Sequence, residues 1–123
     1  EGLVGSEMCI RDRFKAYAEA NGVDPSVYVG ESYDAAALIV LAIALGKSDD
    51  SASIAANIMK VANGPGKKIY AGELAKGLEY ASSGFAIDYE GATDVNFTEV
   101  GEAFGAFIEK GIEGGVFVDV AQR

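Results

Sequence analysis

The sequence has no histidine and a single cysteine, Cys9, among its 123 residues. Without a cysteine pair there is no intrachain disulfide. Without histidine, neither zinc sites of the Cys/His type nor imidazole acid-base chemistry can be assembled. Positive charge is scarce too: ten Lys and Arg stand against nineteen Asp and Glu, a formal net charge of -9. Such a chain repels polyanions, which removes nucleic acid from the partner classes. No apolar run reaches the ~20 residues that cross a bilayer, and the longest, Ala35 to Leu45, reads as a buried helix. No basic stretch followed by an apolar one opens the chain, and no internal repeat or low-complexity tract interrupts it. What the chain does have is apolar content: 50% of its residues are hydrophobic, enough for a packed core at the size of one domain.

Residues 1–13 mix charged and apolar side chains with neither a helical nor a strand period. The stretch from Gly5 to Arg13 resembles translated adapter sequence at the broken end of a gene. Residues 1–13 are therefore expected to be non-native or disordered, loosely packed or an isolated helix, with an ordinary flexible N-terminus as the alternative. From Phe14 the pattern changes. Phe14, Tyr17, Ala18 and Asn21 share a helical stripe that stops at Asn21-Gly22 with Pro25 close behind. Val27, Tyr28 and Val29 are β-favouring and predict a short strand or an extended entry to the next helix, which Glu31 or Ser32 would cap.

From Tyr33 to Leu45 apolar residues fall on every face before Gly46, predicting a helix packed on several sides that forms the core. Asp49, Asp50 and Ser51 are capping types ahead of Ile54, Ile58 and Val61, a third helix that breaks at Asn63-Gly64-Pro65-Gly66. A fourth helix covers Glu73 to Ala81 through Leu74 and Leu78 and ends at Ser82-Ser83-Gly84. Beyond Gly84 the residues turn aromatic, β-branched and glycine-rich. Strands are expected at Val95 to Phe97, Phe104 to Ile108 and Val116 to Val120, with Gly111 to Gly115 as the turn between the last two. Helices followed by a few short strands make an α/β assembly with parts missing, because two or three isolated strands cannot bury their faces alone.

Several motifs dissolve on inspection. Asn63-Gly64-Pro65-Gly66-Lys67-Lys68 is no phosphate loop, since Val61 stands where the first glycine belongs and Lys68 where a Ser or Thr is required. Asp88, Glu90 and Asp94 around Gly91 have the wrong spacing for a calcium loop and read as an acidic surface loop. Asn96-Phe97-Thr98 fits the glycosylation sequon but is short enough to arise by chance, and reads as strand sequence. Ser82 and Ser83 have no base to activate them and read as a helix end. These readings leave no catalytic residue, no metal ligand and no cofactor site. Tyr28 and Tyr33 flank the start of the apolar helix. On pattern alone each is a core aromatic with its hydroxyl at a polar edge.

Five segments nevertheless occur in a recognisable order: Asp24-Pro25-Ser26-Val27-Tyr28, Ser32-Tyr33-Asp34-Ala35-Ala36, Val61-Ala62-Asn63-Gly64-Pro65-Gly66, Gly72-Glu73-Leu74-Ala75-Lys76, and Ile87-Asp88-Tyr89-Glu90-Gly91-Ala92 running on to Val95-Asn96-Phe97 and Gly101-Glu102. Together they resemble the C-terminal region of the periplasmic branched-chain amino-acid-binding proteins of ABC importers, from about Phe14 to Arg123. Asp94, Thr98 and Glu102 depart from that family's pattern. The resemblance implies a partial type 1 periplasmic-binding-protein fold, with residues 14–123 as its C-terminal part: helices of one lobe, a hinge crossing and a terminal hairpin of the other. It also implies a small-molecule amino acid held between two closing lobes, a membrane permease as partner, no enzyme activity, and a periplasmic or lipid-anchored extracellular location. Of the matching positions, Tyr28 corresponds to an aromatic residue that lies against the solute. An amide, urea or aromatic acid as cargo is the alternative within that fold. A stand-alone interaction module is the alternative outside it, and an enzyme is the least supported.

Overall fold

The computed structural model describes residues 2–26, 28–93, 95–104 and 108–122. Four helices and six strands alternate along it: α1 (Gly2–Ala20), α2 (Val29–Gly46), α3 (Ser51–Asn63), β1 (Lys67–Tyr70), α4 (Leu74–Ser82), β2 (Ile87–Gly91), β3 (Asn96–Phe97), β4 (Ala103–Phe104), β5 (Ile108–Glu113) and β6 (Val116–Gln122). Helix and strand are thus mixed in one chain, an α/β class at the coarse level.

The helical pattern that starts at Phe14 in the sequence also extends backwards. Ile10, Phe14 and Ala18 lie four residues apart, and all three are buried on one stripe of α1. The backbone of residues 2–13 is therefore helical and continuous with the rest of α1. Within that segment, Ile10 continues the buried stripe of Phe14 and Ala18.

α2 is the central helix, but its burial is one-sided. Asp34, Ala37, Leu38, Leu41 and Ala42 are buried, at the i, i+3, i+4, i+7, i+8 spacing of a single stripe. Ile39 and Val40 on the other side remain exposed. Packing on several sides, expected from the uniform apolar run, is not what the described residues show. Among them α2 is also the one helix long and apolar enough to cross a membrane, although Leu38 and Leu41 commit its inner face to the protein core.

That core is built by α2, α3, α4 and a parallel pair of strands. β1 and β2 are joined by the crossover helix α4 and pair in parallel, Lys67 opposite Ile87 and Ile69 opposite Tyr89. Ile69, Ile87 and Tyr89 point to the helices and are fully enclosed with Leu41 and Val61. Each such aliphatic side chain contributes ~1.5–3 kcal/mol on burial. At Gly77, α4 comes so close that a Cβ would lie 3.0 Å from Leu41 Cδ2 and 3.1 Å from Ile69 Cγ2.

The two-residue period of Ile87-Asp88-Tyr89-Glu90 places Asp88 and Glu90 on the opposite face of the same strand. There Lys68 Nζ reaches Asp88 Oδ2 at 3.1 Å and Glu90 Oε2 at 3.5 Å. The acidic surface loop expected at these residues is corrected accordingly: Asp88 and Glu90 belong to a strand, and both pair with the single Lys68 of the neighbouring strand. Asp94 lies outside the described residues.

The turn after α3 is a glycine-proline turn, as its residues predict, and Asn63 ties the end of α3 to β3. Its Nδ2 donates to the Phe97 carbonyl at 2.9 Å, and its Oδ1 accepts from the Phe97 N–H at 2.7 Å. β3 and β4 form a short antiparallel pair, and β5 and β6 a longer hairpin closed by Gly114-Gly115. β5 extends to Glu113, so the turn is narrower than the expected Gly111 to Gly115. Of the strand expected from Phe104 to Ile108, residues 105–107 lie outside the described ones.

Candidate functional site

In an open parallel sheet the carboxyl ends of the strands form the natural binding edge. Here β1 ends at Tyr70 and β2 at Gly91, and both ends meet the opening turns of α2. The Gly72 N–H, just past β1, donates to Tyr33 Oη on α2 at 3.0 Å. Ala92 and Thr93, just past β2, lie against Gly30 on α2: a Cβ there would sit 3.4 Å from Ala92 Cβ and 3.3 Å from Thr93 Cγ2. α1 closes the side of this edge with aromatic rings. Phe14 and Tyr17 pack on Tyr33 with centroids 5.5 and 6.0 Å apart, and Arg13 lies 4.3 Å over the Tyr70 ring.

The organising group at this edge is Asp34, only 3% exposed in the second turn of α2. Its Oδ1 accepts from Tyr89 Oη and from the Ala92 N–H, each at 2.8 Å. Its Oδ2 accepts from the Thr93 N–H at 2.9 Å and from Thr93 Oγ1. Four neutral donors thus replace water around a buried carboxyl group. Burial raises the Asp34 pKa above the usual carboxylate range, and the hydrogen bonds oppose that rise without cancelling it. Tyr89 is pushed up by the same burial and by the adjacent Asp34, and Tyr33 chiefly by its own burial. Gly91 makes the arrangement possible. It adopts φ +63, and a Cβ there would overlap both Asp34 Oδ1 and the Tyr89 ring.

Tyr28 stands at the mouth of this edge, immediately before α2. Its backbone is left-handed, φ 67 and ψ 0, where a side-chain-bearing residue pays about 1 kcal/mol. Its carbonyl accepts the first helical hydrogen bond, from the Ser32 N–H at 2.9 Å, so α2 begins ahead of the expected caps Glu31 and Ser32. Tyr28 as a whole is 74% exposed. The strand-like entry expected for residues 27–29 is replaced by a turn at Tyr28 and helix from Val29, because the left-handed residue redirects the chain straight into α2. Val27 lies outside the described residues. Tyr28 is therefore neither a core aromatic nor part of the cluster formed by Phe14, Tyr17 and Tyr33, in which Tyr33 does take a packed position.

Sequence reasoning singled out Tyr28 and missed Asp34. The available signal was chemical: one carboxylate inside an otherwise apolar helical run has to find donors. Among the described residues no group of three or more Cys, Asp or Glu is placed to hold a metal ion. Comparisons with known protein families, with curated proteins and with solved structures give no match to this chain.

Proposed function

We propose that this chain is the C-terminal part of a solute-binding component of an ABC importer, holding a branched-chain or similar amino acid between two lobes and handing it to a membrane permease outside the cytoplasm. The observation that carries this reading is Tyr28: a large aromatic ring left in solvent by a left-handed backbone, beside the carboxyl ends of a parallel strand pair. A strained residue whose ring gains no burial suits a role that another molecule completes. The order of the five family-like segments supports the same reading, as does the outward-facing Ile39 and Val40 stripe of α2, which a larger lobe would cover. The type 1 periplasmic-binding fold belongs to this proposal, and so does a non-enzymatic role, in which binding free energy shifts an open-closed equilibrium.

The test is calorimetric titration of the full-length protein, upstream lobe included, with leucine, isoleucine and valine, and in parallel with amides and aromatic acids. Saturable heat with the branched-chain set, weakened about ten-fold or more by Tyr28→Ala and little by Tyr28→Phe, is the expected result. Binding confined to an amide or aromatic acid would keep the fold and change the cargo. No binding of any of them would remove the proposal.

A further inference from the structure

The carboxyl group of Asp34 faces two kinds of donor, and their division between its oxygens is systematic. Each oxygen receives one backbone N–H, which can only donate, and one hydroxyl, which can donate or accept: Ala92 N–H and Tyr89 Oη on Oδ1, Thr93 N–H and Thr93 Oγ1 on Oδ2. We infer that Asp34 is a positioning residue that clamps the turn after β2 onto the first turns of α2 in both of its protonation states, and thereby fixes where Tyr28 stands. That the clamp matters for solute rests on the function proposed above; the clamp itself does not.

When Asp34 is ionised, all four groups donate to it. When it takes a proton from solvent, the new O–H needs an acceptor, and a hydroxyl can turn round to provide one while both amide bonds persist. The two hydroxyls are not equivalent. Tyr89 is fully buried, so its displaced hydrogen would find no partner, whereas Thr93 is only half-buried and its hydrogen can reach water. The proton therefore belongs on Oδ2, directed at Thr93 Oγ1. The titratable groups facing Asp34 are Tyr89 from β2 and Tyr33 from its own helix, both neutral phenols held above their ordinary pKa. The raised pKa of Asp34 agrees with a site that tolerates the proton. The link to Tyr28 is short: the clamped Ala92 and Thr93 lie so close to Gly30, two residues beyond it, that an added Cβ there would touch both.

Thr93→Ser retains the reversible hydroxyl and Thr93→Val removes it, which makes the pair a direct test. Amide hydrogen exchange at Gly30, Ala92 and Thr93 or its replacement would be followed by NMR in the full chain from about pH 8 to about pH 4, corrected for intrinsic rates. Wild type and Thr93→Ser should hold or gain protection towards acid, as the raised pKa of Asp34 requires, while Thr93→Val should fall about ten-fold below wild type on the acid side. Asp34→Asn should lose protection at every pH, since its amide nitrogen opposes one backbone N–H. Wild-type protection collapsing in acid as far as that of Thr93→Val would overturn the inference, and so would a Thr93→Val profile identical to wild type. In the full-length protein, leucine affinity should track the exchange. If the exchange pattern holds and no amino acid binds, the clamp stands and the function proposed above falls.

Discussion

The α2–α4 and β1–β2 half of the molecule and its C-terminal ribbons use similar residues to different ends. In the first, a parallel pair connected through α4 lays Ile69, Ile87 and Tyr89 on a bed of helices, and those side chains are fully enclosed. In the second, the β5–β6 hairpin pairs its inner backbone groups across a six-pair ladder, yet Ile112, Val116 and Val120 stay 57–70% exposed. Apolar residues do not make a core by being present. They need a second layer, which the crossover helix supplies in one half and nothing among the described residues supplies in the other. Even the better half departs from the usual parallel sheet, which is many-stranded and covered on both faces. Among the described residues it has two strands, one covered face and one charged face.

This contrast can be broken by mutation, beginning where the largest effect is expected. Leu41→Ala, at a position with no exposure, should cost about 3 kcal/mol in chemical denaturation, the transfer loss plus the cavity. A cost near zero would mean that the helical layer does not hold the sheet. Gly91→Ala should come next at about 2 kcal/mol, because the left-handed φ is strained for alanine and the new methyl overlaps Asp34 and Tyr89. If Gly91→Ala folds with undiminished stability, the exit of β2 is not as closely packed as described.

The Asp34 cluster adds a pH dependence whose sign is fixed by its shift. Burial raises the folded-state pKa of Asp34 above its ordinary 3.8, so its contribution to stability is complete below that value and is lost as pH rises through the folded value. Tyr89, raised above its ordinary 10.0, works in the same direction at the alkaline end. Denaturation midpoints measured across pH should therefore decline on the near-acid side in wild type and lose that component in Asp34→Asn. An unchanged slope in the variant would assign the dependence to other groups. Smallest of all should be Val120→Ala in the hairpin, within about 0.5 kcal/mol, because its side chain already faces water.

How much of this was readable in the sequence divides along the same line. α3 and α4 were legible because their apolar residues keep a helical period between strong stops, Asn63-Gly64-Pro65-Gly66 and Ser82-Ser83-Gly84. The position of α2 was legible, but not which side would be buried, since a uniform apolar run contains no phase. β1 was lost because Lys67-Lys68-Ile69-Tyr70 has only one buried residue to announce it. β2 was lost for a different reason: its alternation was present in Ile87-Asp88-Tyr89-Glu90, but the carboxylates drew the reading towards a loop. Tyr28 was picked out by resemblance, while no local pattern announced its left-handed backbone. Asp34 was visible as a lone acid among apolar neighbours, yet its donors come from residues more than fifty positions away.

The function proposed above requires that the open half and the open faces belong to a larger two-lobed protein. The most direct measurement is amide hydrogen exchange of this chain alone beside the same residues in the full-length protein. The account expects β5 and β6, together with the outer edges of β1 and β2, to exchange quickly in the isolated chain and to become protected when the upstream lobe is present, with the Leu41 and Ile69 core protected in both. Equal protection of the hairpin and the strand edges in both proteins, with the isolated chain monomeric and cooperative, would contradict it.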